Sequence, residues 1–226
     1  MNTLHKICIK KPRLIMFDLD GTLVDSVPDL SFAVDAMLTS LGKPVAGLEH
    51  VRNWVGNGAA MLVKRALSRH MTPTDIEPPL YQQAYALFLE YYQQVNGSKS
   101  LLYPNVADTL TQLRTAFPYM ALITNKPEQF TQPLLDFHRL PRFDLVVCGD
   151  TLAKRKPDPA PVLHCLKELG CEAEESVMVG DSVSDIGAAQ AANVPIICVE
   201  YGYNQGEDLS TYRPDRLIKH FEHLLD

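Results

Sequence analysis

The first sustained apolar run, Leu14 to Phe17, stops abruptly at Asp18. Four more short runs follow: YMALITN (119–125), FDLVVCGD (143–150), SVMVGD (176–181) and VPIICVEYG (194–202). Each is apolar on both faces and rich in β-branched side chains, as a strand buried within a parallel sheet must be. Between them the apolar period lengthens to that of a helix: 106–117, 130–140 despite Pro133, 159–170 with Gly170 at its C-cap, and 184–193. Alternating strands and helices predict an α/β fold, a doubly wound parallel sheet with a Rossmann-like core.

The stretch after the first run breaks that alternation. Leu30, Ala33, Val34, Met37, Leu38 and Leu41 keep helical spacing, as do Leu80, Ala84, Leu87, Phe88 and Tyr91, with no convincing strand between. This predicts an all-helical insert over 27–96 within a core made of 1–26 and 97–226. Pro28 and NGSKS (96–100) are the expected hinges.

Composition narrows the class. A 226-residue chain that is 46% hydrophobic can bury a sizeable core, and 21 basic against 27 acidic residues, with no run of one sign, leave no nucleic-acid footprint. The five cysteines are scattered without CxxC spacing, so reduced, buried thiols are expected rather than a disulfide framework or zinc site. The apolar run after the basic N-terminus is too short for a signal segment or a membrane span, and a cytoplasmic protein is expected, as monomer or homodimer.

Polar residues follow the strands at their carboxyl ends: Asp18 and Asp20 after the first, Thr124, Asn125 and Lys126 after the second, Asp181 and Asp185 after the fourth. Singly, each group reads as an ordinary turn or helix cap. Together they mark one ligand site, because loops from separate strands converge at that end of an open α/β sheet. Several carboxylates sharing a pocket require a cation, and a hard ion such as Mg²⁺ takes one or two carboxylates, waters and a substrate phosphate, with Asp18 and Asp181 the best ligands. Thr124 with either Lys154 or Lys156 could bind the remaining phosphate oxygens, which makes this a phosphoryl-transfer site. Asp18 would attack phosphorus to form an aspartyl-phosphate. Asp20 would give a proton to the leaving alcohol and later take one from water, kept protonated at the start by a neighbouring anion and partial burial. An EF-hand is excluded, since glycine is fourth rather than sixth and Asp29 holds position twelve.

The motifs DLDGT from Asp18, ITNK (123–126), KPDP (156–159) and GDSVSD (180–185), in this order, resemble those of the haloacid dehalogenase superfamily over essentially the whole chain. The resemblance implies Asp18 as nucleophile, Asp20 as general acid/base with its backbone carbonyl on Mg²⁺, Thr124 on the phosphoryl group, and Lys156 balancing charge in preference to Lys154. It implies Asp181 as a metal ligand supported by Asp185, and the insert as a small α-helical cap. Dehalogenases need no acid at the second aspartate, so Asp20 points to a small-molecule phosphate ester as substrate. The segments VRNWVGNGAAMLVKRAL (51–67) and YGYNQGE (201–207) are similar to those of bacterial phosphoglycolate phosphatases, which implies 2-phosphoglycolate, with a sugar-phosphate phosphatase or hexose-phosphate mutase as the alternative. In the insert, Gly56, Asn57 and Gly58 could present backbone amides to substrate and Arg65 or Lys64 could pair with its carboxylate; a helix–turn–helix with a solvated basic face competes with that reading. Trp54 is expected to pack.

Overall fold

A computed structural model of the chain describes residues 7–8 and 10–226. The N-terminal extension through Pro12, to which the sequence assigns no role, lies partly outside the described residues. The strands are β1 (Leu14–Phe17), β2 (Val24–Asp25), β3 (Leu101–Leu102), β4 (Tyr119–Ile123), β5 (Leu145–Val147), β6 (Ser176–Gly180), β7 (Ile196–Val199) and β8 (Arg216–Ile218). Six of them form one parallel sheet in the order β5-β4-β1-β6-β7-β8. The expected doubly wound α/β core is therefore present. The sixth strand, β8, escaped the sequence reading because it is a three-residue edge strand that opens on Arg216 and buries fully only Ile218, so it carries no apolar run.

The helices are α1 (Val27–Ser40), α2 (Leu48–Trp54), α3 (Ala59–Ser68), α4 (Pro78–Val95), α5 (Val106–Ala116), α6 (Glu128–Phe137), α7 (Ala160–Leu169) and α8 (Val183–Ala191). Alternation along β1 feeds two cores. Ile15 and Phe17 join Leu110, Leu113 and Leu134 from α5 and α6, while Leu14 and Met16 join Val162, Cys165 and Ile186 from α7 and α8. Pro133 lies on the exposed face of α6, where the carbonyl it leaves unpaired can meet water. All five cysteines are free thiols and buried.

Helices α1–α4 share a third apolar cluster, in which Val34 and Met37 of α1 face Phe88 and Tyr92 of α4, with Trp54 packed among them as expected. The buried stripe of α4 runs Ala84, Phe88, Tyr92, Val95, with Leu87 and Tyr91 partly buried against the same cluster. The two segments that connect these helices to the sheet are tied together. β2 pairs antiparallel with β3, and the fully buried Asp29 accepts N–H bonds from Gly97 (2.8 Å) and Lys99 (2.7 Å). Among the described residues, no helix is long and apolar enough to cross a membrane.

Candidate active site

β1 lies between β4 and β6, with Phe17 opposite Leu122 on one side and Val179 on the other. The strand order reverses between β1 and β6: the helix that precedes β4, α5, packs on the Phe17 face and the helix after β6, α8, on the Met16 face, so the loops at the carboxyl ends of these two strands splay apart and leave a crevice. Asp18, Thr124 and Asp181, each one residue beyond its strand, therefore reach the same place. Gly21 makes the turn possible: its φ is +93°, and a Cβ there would stand 2.2 Å from Asp181 Oδ2.

The ammonium of Lys156 joins the three loops. It lies 2.8 Å from Asp18 Oδ1, 2.7 Å from Asp185 Oδ1, and donates to the Ile123 carbonyl at 2.7 Å, which accounts for all three N–H bonds. Lys154, its sequence competitor, is exposed and paired with Asp158. Burial pushes the Asp18 carboxyl up to about 7 against the pull of Lys156. Asp181 is raised well above the usual carboxylate range by burial and then by Asp18 and Asp185. Burial alone would lower Lys156, but Asp18 and Asp185 outweigh it and hold the ammonium charged.

Asp18, Asp181 and Asp185 each offer an oxygen, and these atoms lie within 4.8 Å of one another. Three buried carboxylates against one ammonium, with purely oxygen donors, fit a hard divalent cation such as Mg²⁺. Asp185 has other work: besides Lys156 it accepts from the backbone N–H groups of Asp181 and Ser182 and from Ser182 Oγ at 2.6 Å, so it fixes the loop that carries Asp181. Asp181 is itself oriented by Thr22 Oγ1 (2.6 Å) and the Tyr203 N–H (2.7 Å).

This electrostatic arrangement predicts a pH effect. Asp18 titrates near 7 when folded against an ordinary value of 3.8, so between those values the folded state holds the extra proton and loses stability as pH rises. In chelator, the Tm of Asp18→Asn relative to wild type should increase from about pH 4.5 to about pH 7, and Mg²⁺ should raise the wild-type Tm at the upper end. A Tm difference that stays flat across that range would contradict the assignment.

Asp20 has a different environment from the one expected. Instead of a neighbouring anion, it meets the ammonium of Lys126, 3.1 and 3.2 Å from its two oxygens. Lys126 also donates to Tyr92 Oη and sits 4.8 Å over the Tyr92 ring, so α4 reaches the second aspartate. Burial opposes the charge on Lys126, but Asp20 and Tyr92 more than offset this.

A cavity of about 80 Å³ opens over these groups. The sequence-predicted Asp18, Asp20, Thr124, Asn125, Lys156 and Asp181 all line it, as do Gly56, Asn57 and Gly58 from the turn before α3. Asn125 Nδ2 donates to the Lys156 carbonyl and Thr124 Oγ1 accepts the Lys126 N–H. Arg65 does not face the cavity. Its buried guanidinium donates to the carbonyls of Trp54 (2.7 Å), Gly56 and Met71 and to Asn57 Oδ1 (3.0 Å), so four of its five N–H bonds shape the VGNG turn from behind, outside the cavity lining. Lys64 lies 5.2 Å over the Tyr81 ring. Sequence reading placed Lys126 at the ligand site without a task and gave no role to Tyr92 or Tyr203. Lys126 was visible within ITNK and Tyr92 in the helical stripe through Phe88, but nothing local marks Tyr203, whose Oη accepts the Val27 N–H at 3.1 Å and donates to Asp25.

Such a crevice, with an acidic triad, a buried lysine and a covered cavity, defines a hydrolase site on a doubly wound sheet. Residues 15–199 match the family model described as haloacid dehalogenase-like hydrolase. The chain belongs to that family. It is 49% identical over 215 residues to a phosphoglycolate phosphatase of Pseudomonas putida, covering 95% of this chain and 79% of that one. A phosphoglycolate phosphatase of Nitrosococcus oceani is 46% identical over 93% of both chains. A crystal structure described as a predicted phosphoglycolate phosphatase from Haemophilus somnus superposes with a TM-score of 0.87 at 32% identity, covering 95% of this chain and 96% of that one.

Proposed function

We propose that the chain is a Mg²⁺-dependent phosphomonoesterase that hydrolyses 2-phosphoglycolate to glycolate and phosphate. The observation that carries this is Asp18, at the carboxyl end of the central strand, held at 2.8 Å by the buried Lys156, with Asp20 lining the same cavity. Near-half identity to phosphoglycolate phosphatases along most of the chain supports the choice of ester.

In this reading an Asp18 oxygen attacks phosphorus, the bond from phosphorus to the ester oxygen breaks, and Asp20 gives that oxygen its proton. A water then yields a proton to Asp20 and attacks the aspartyl-phosphate, whose acyl phosphate bond breaks to release phosphate and restore Asp18. Thr124 and Asn125 hold the phosphoryl oxygens, and Lys156 offsets their charge and that of Asp18. Asp18, Asp181 and the Asp20 backbone carbonyl would hold Mg²⁺, with Asp185 behind them, and the ion would neutralise charge on the phosphoryl oxygens. Helices α1–α4, over 27–96, act as a cap that excludes water from the intermediate.

The test is phosphate release from a panel of 2-phosphoglycolate, sugar phosphates and nucleoside monophosphates, with Mg²⁺ and with chelator. We expect kcat/KM for 2-phosphoglycolate to exceed that for every other ester and activity to vanish in chelator. A preference for a sugar phosphate would reassign the substrate, and retention of the phosphoenzyme without free phosphate would indicate a mutase.

A further inference from the structure

Among the described residues, two positively charged side chains line the cavity, Lys156 and Lys126. Lys156 spends its three N–H bonds on Asp18, Asp185 and the Ile123 carbonyl. Lys126 is equally buried, but its three hydrogen bonds reach only two partners, Asp20 through both carboxyl oxygens and Tyr92 Oη, so Asp20, which takes two of them, can yield one to another acceptor.

The position of that exchangeable bond is informative. If Asp20 protonates the leaving oxygen, the alcohol part of the substrate lies against Asp20. In a glycolate ester the carboxylate sits on the carbon bonded to that oxygen, so it falls next to whatever flanks Asp20. That neighbour is Lys126, at 3.1 Å. Of the other lining side chains, Leu30, Val55, Leu62 and Phe88 offer no partner to an anion, and Asn57, Ser182 and Ser184 bring neutral groups only, with the Asn57 amide on Ser184 and the Ser182 hydroxyl on Asp185. Arg65, the cation that the insert suggests for this task, is committed to backbone carbonyls.

We propose that Lys126 receives the carboxylate of the leaving group and is the residue by which this site selects acid-bearing phosphate esters over neutral ones. The proposal rests on the phosphoglycolate reading above and adds to it the specificity-determining contact. Lys126 would divide its ammonium between Asp20 and the substrate carboxylate, with Tyr92 holding the side chain in place from α4.

A purely structural role, in which Lys126 only holds Asp20, makes a different prediction, and a neutral isostere separates the two. The kcat/KM ratio of 2-phosphoglycolate to its amide, 2-phosphoglycolamide, is measured in wild type and in Lys126→Gln. General damage to Asp20 cancels in that ratio, whereas loss of the carboxylate contact does not. We expect the wild type to favour the acid and the ratio to fall about tenfold or more in the variant, the scale of a lost charge-assisted hydrogen bond. A ratio unchanged in Lys126→Gln, with both substrates slowed alike, overturns this inference while leaving the phosphoglycolate reading intact. A wild-type enzyme indifferent to acid or amide overturns both. Should the Gln variant not fold, Lys126→Arg, which keeps the charge but moves its centre, must shift the ratio at least about threefold; an unshifted ratio is equally fatal to the proposal.

Discussion

Replacing Asp18 by asparagine is expected to abolish turnover, by about 10³-fold or more, while leaving the fold intact. Asparagine keeps the shape of the side chain, so it can still accept from Lys156, but its amide is far too weak a nucleophile to attack phosphorus. Burial already disfavours charge at this position, which pushes the carboxyl up to about 7, so removing the charge relieves the folded chain. The variant should therefore be no less stable than wild type in chelator near neutral pH, although it is inactive. Single-turnover phosphate release and thermal melting on the same preparation check both halves. A variant with wild-type turnover would remove Asp18 from the nucleophile's role, and an unfolded one would show that its charge holds the site together.

Lys156→Met should cost the most stability of any single change in the site, about 3–5 kcal/mol in urea unfolding near neutral pH. Methionine fills a similar volume, so the loss is electrostatic. Asp18 and Asp185 would face each other, both buried, with no cation, and the Ile123 carbonyl would lose its donor. Proton uptake by one of the two carboxyls limits the cost, so adding Asp185→Asn should recover part of it. The double variant is the control, since recovery separates charge imbalance from simple cavity formation. A cost under about 1 kcal/mol would mean that Lys156 is only lightly coupled to its two partners.

Much of this was legible in the chain because local chemistry carries it. The apolar runs at 14–17 and 176–180 are buried on both faces whatever surrounds them, and the motif residues Asp18, Thr124 and Asp181 follow their strands directly, so strand position fixes where they emerge. The glycine after Asp20 announces a turn that only a residue without a side chain can make beside Asp181. Helical spacing likewise predicted α1 and α4 from Leu30, Val34, Met37, Ala84 and Phe88. Edge strand β8 was invisible for the complementary reason: half-exposed and three residues long, it borrows its identity from β7.

Which charges meet was decided by the tertiary structure. Sequence alone determined that two aspartates end the central strand, that lysines stand near the second and third motifs, and that a helical stretch interrupts the α/β alternation. It could not determine that Lys126 faces Asp20 across a separation of 106 positions, or that Arg65 turns inward to hold the carbonyls of its own turn. The physical reason is that a buried cation takes the partners that repay its desolvation, and those partners are chosen by the crossing of strands and helices distant in sequence. Local pattern sets which groups are available; packing sets which of them meet.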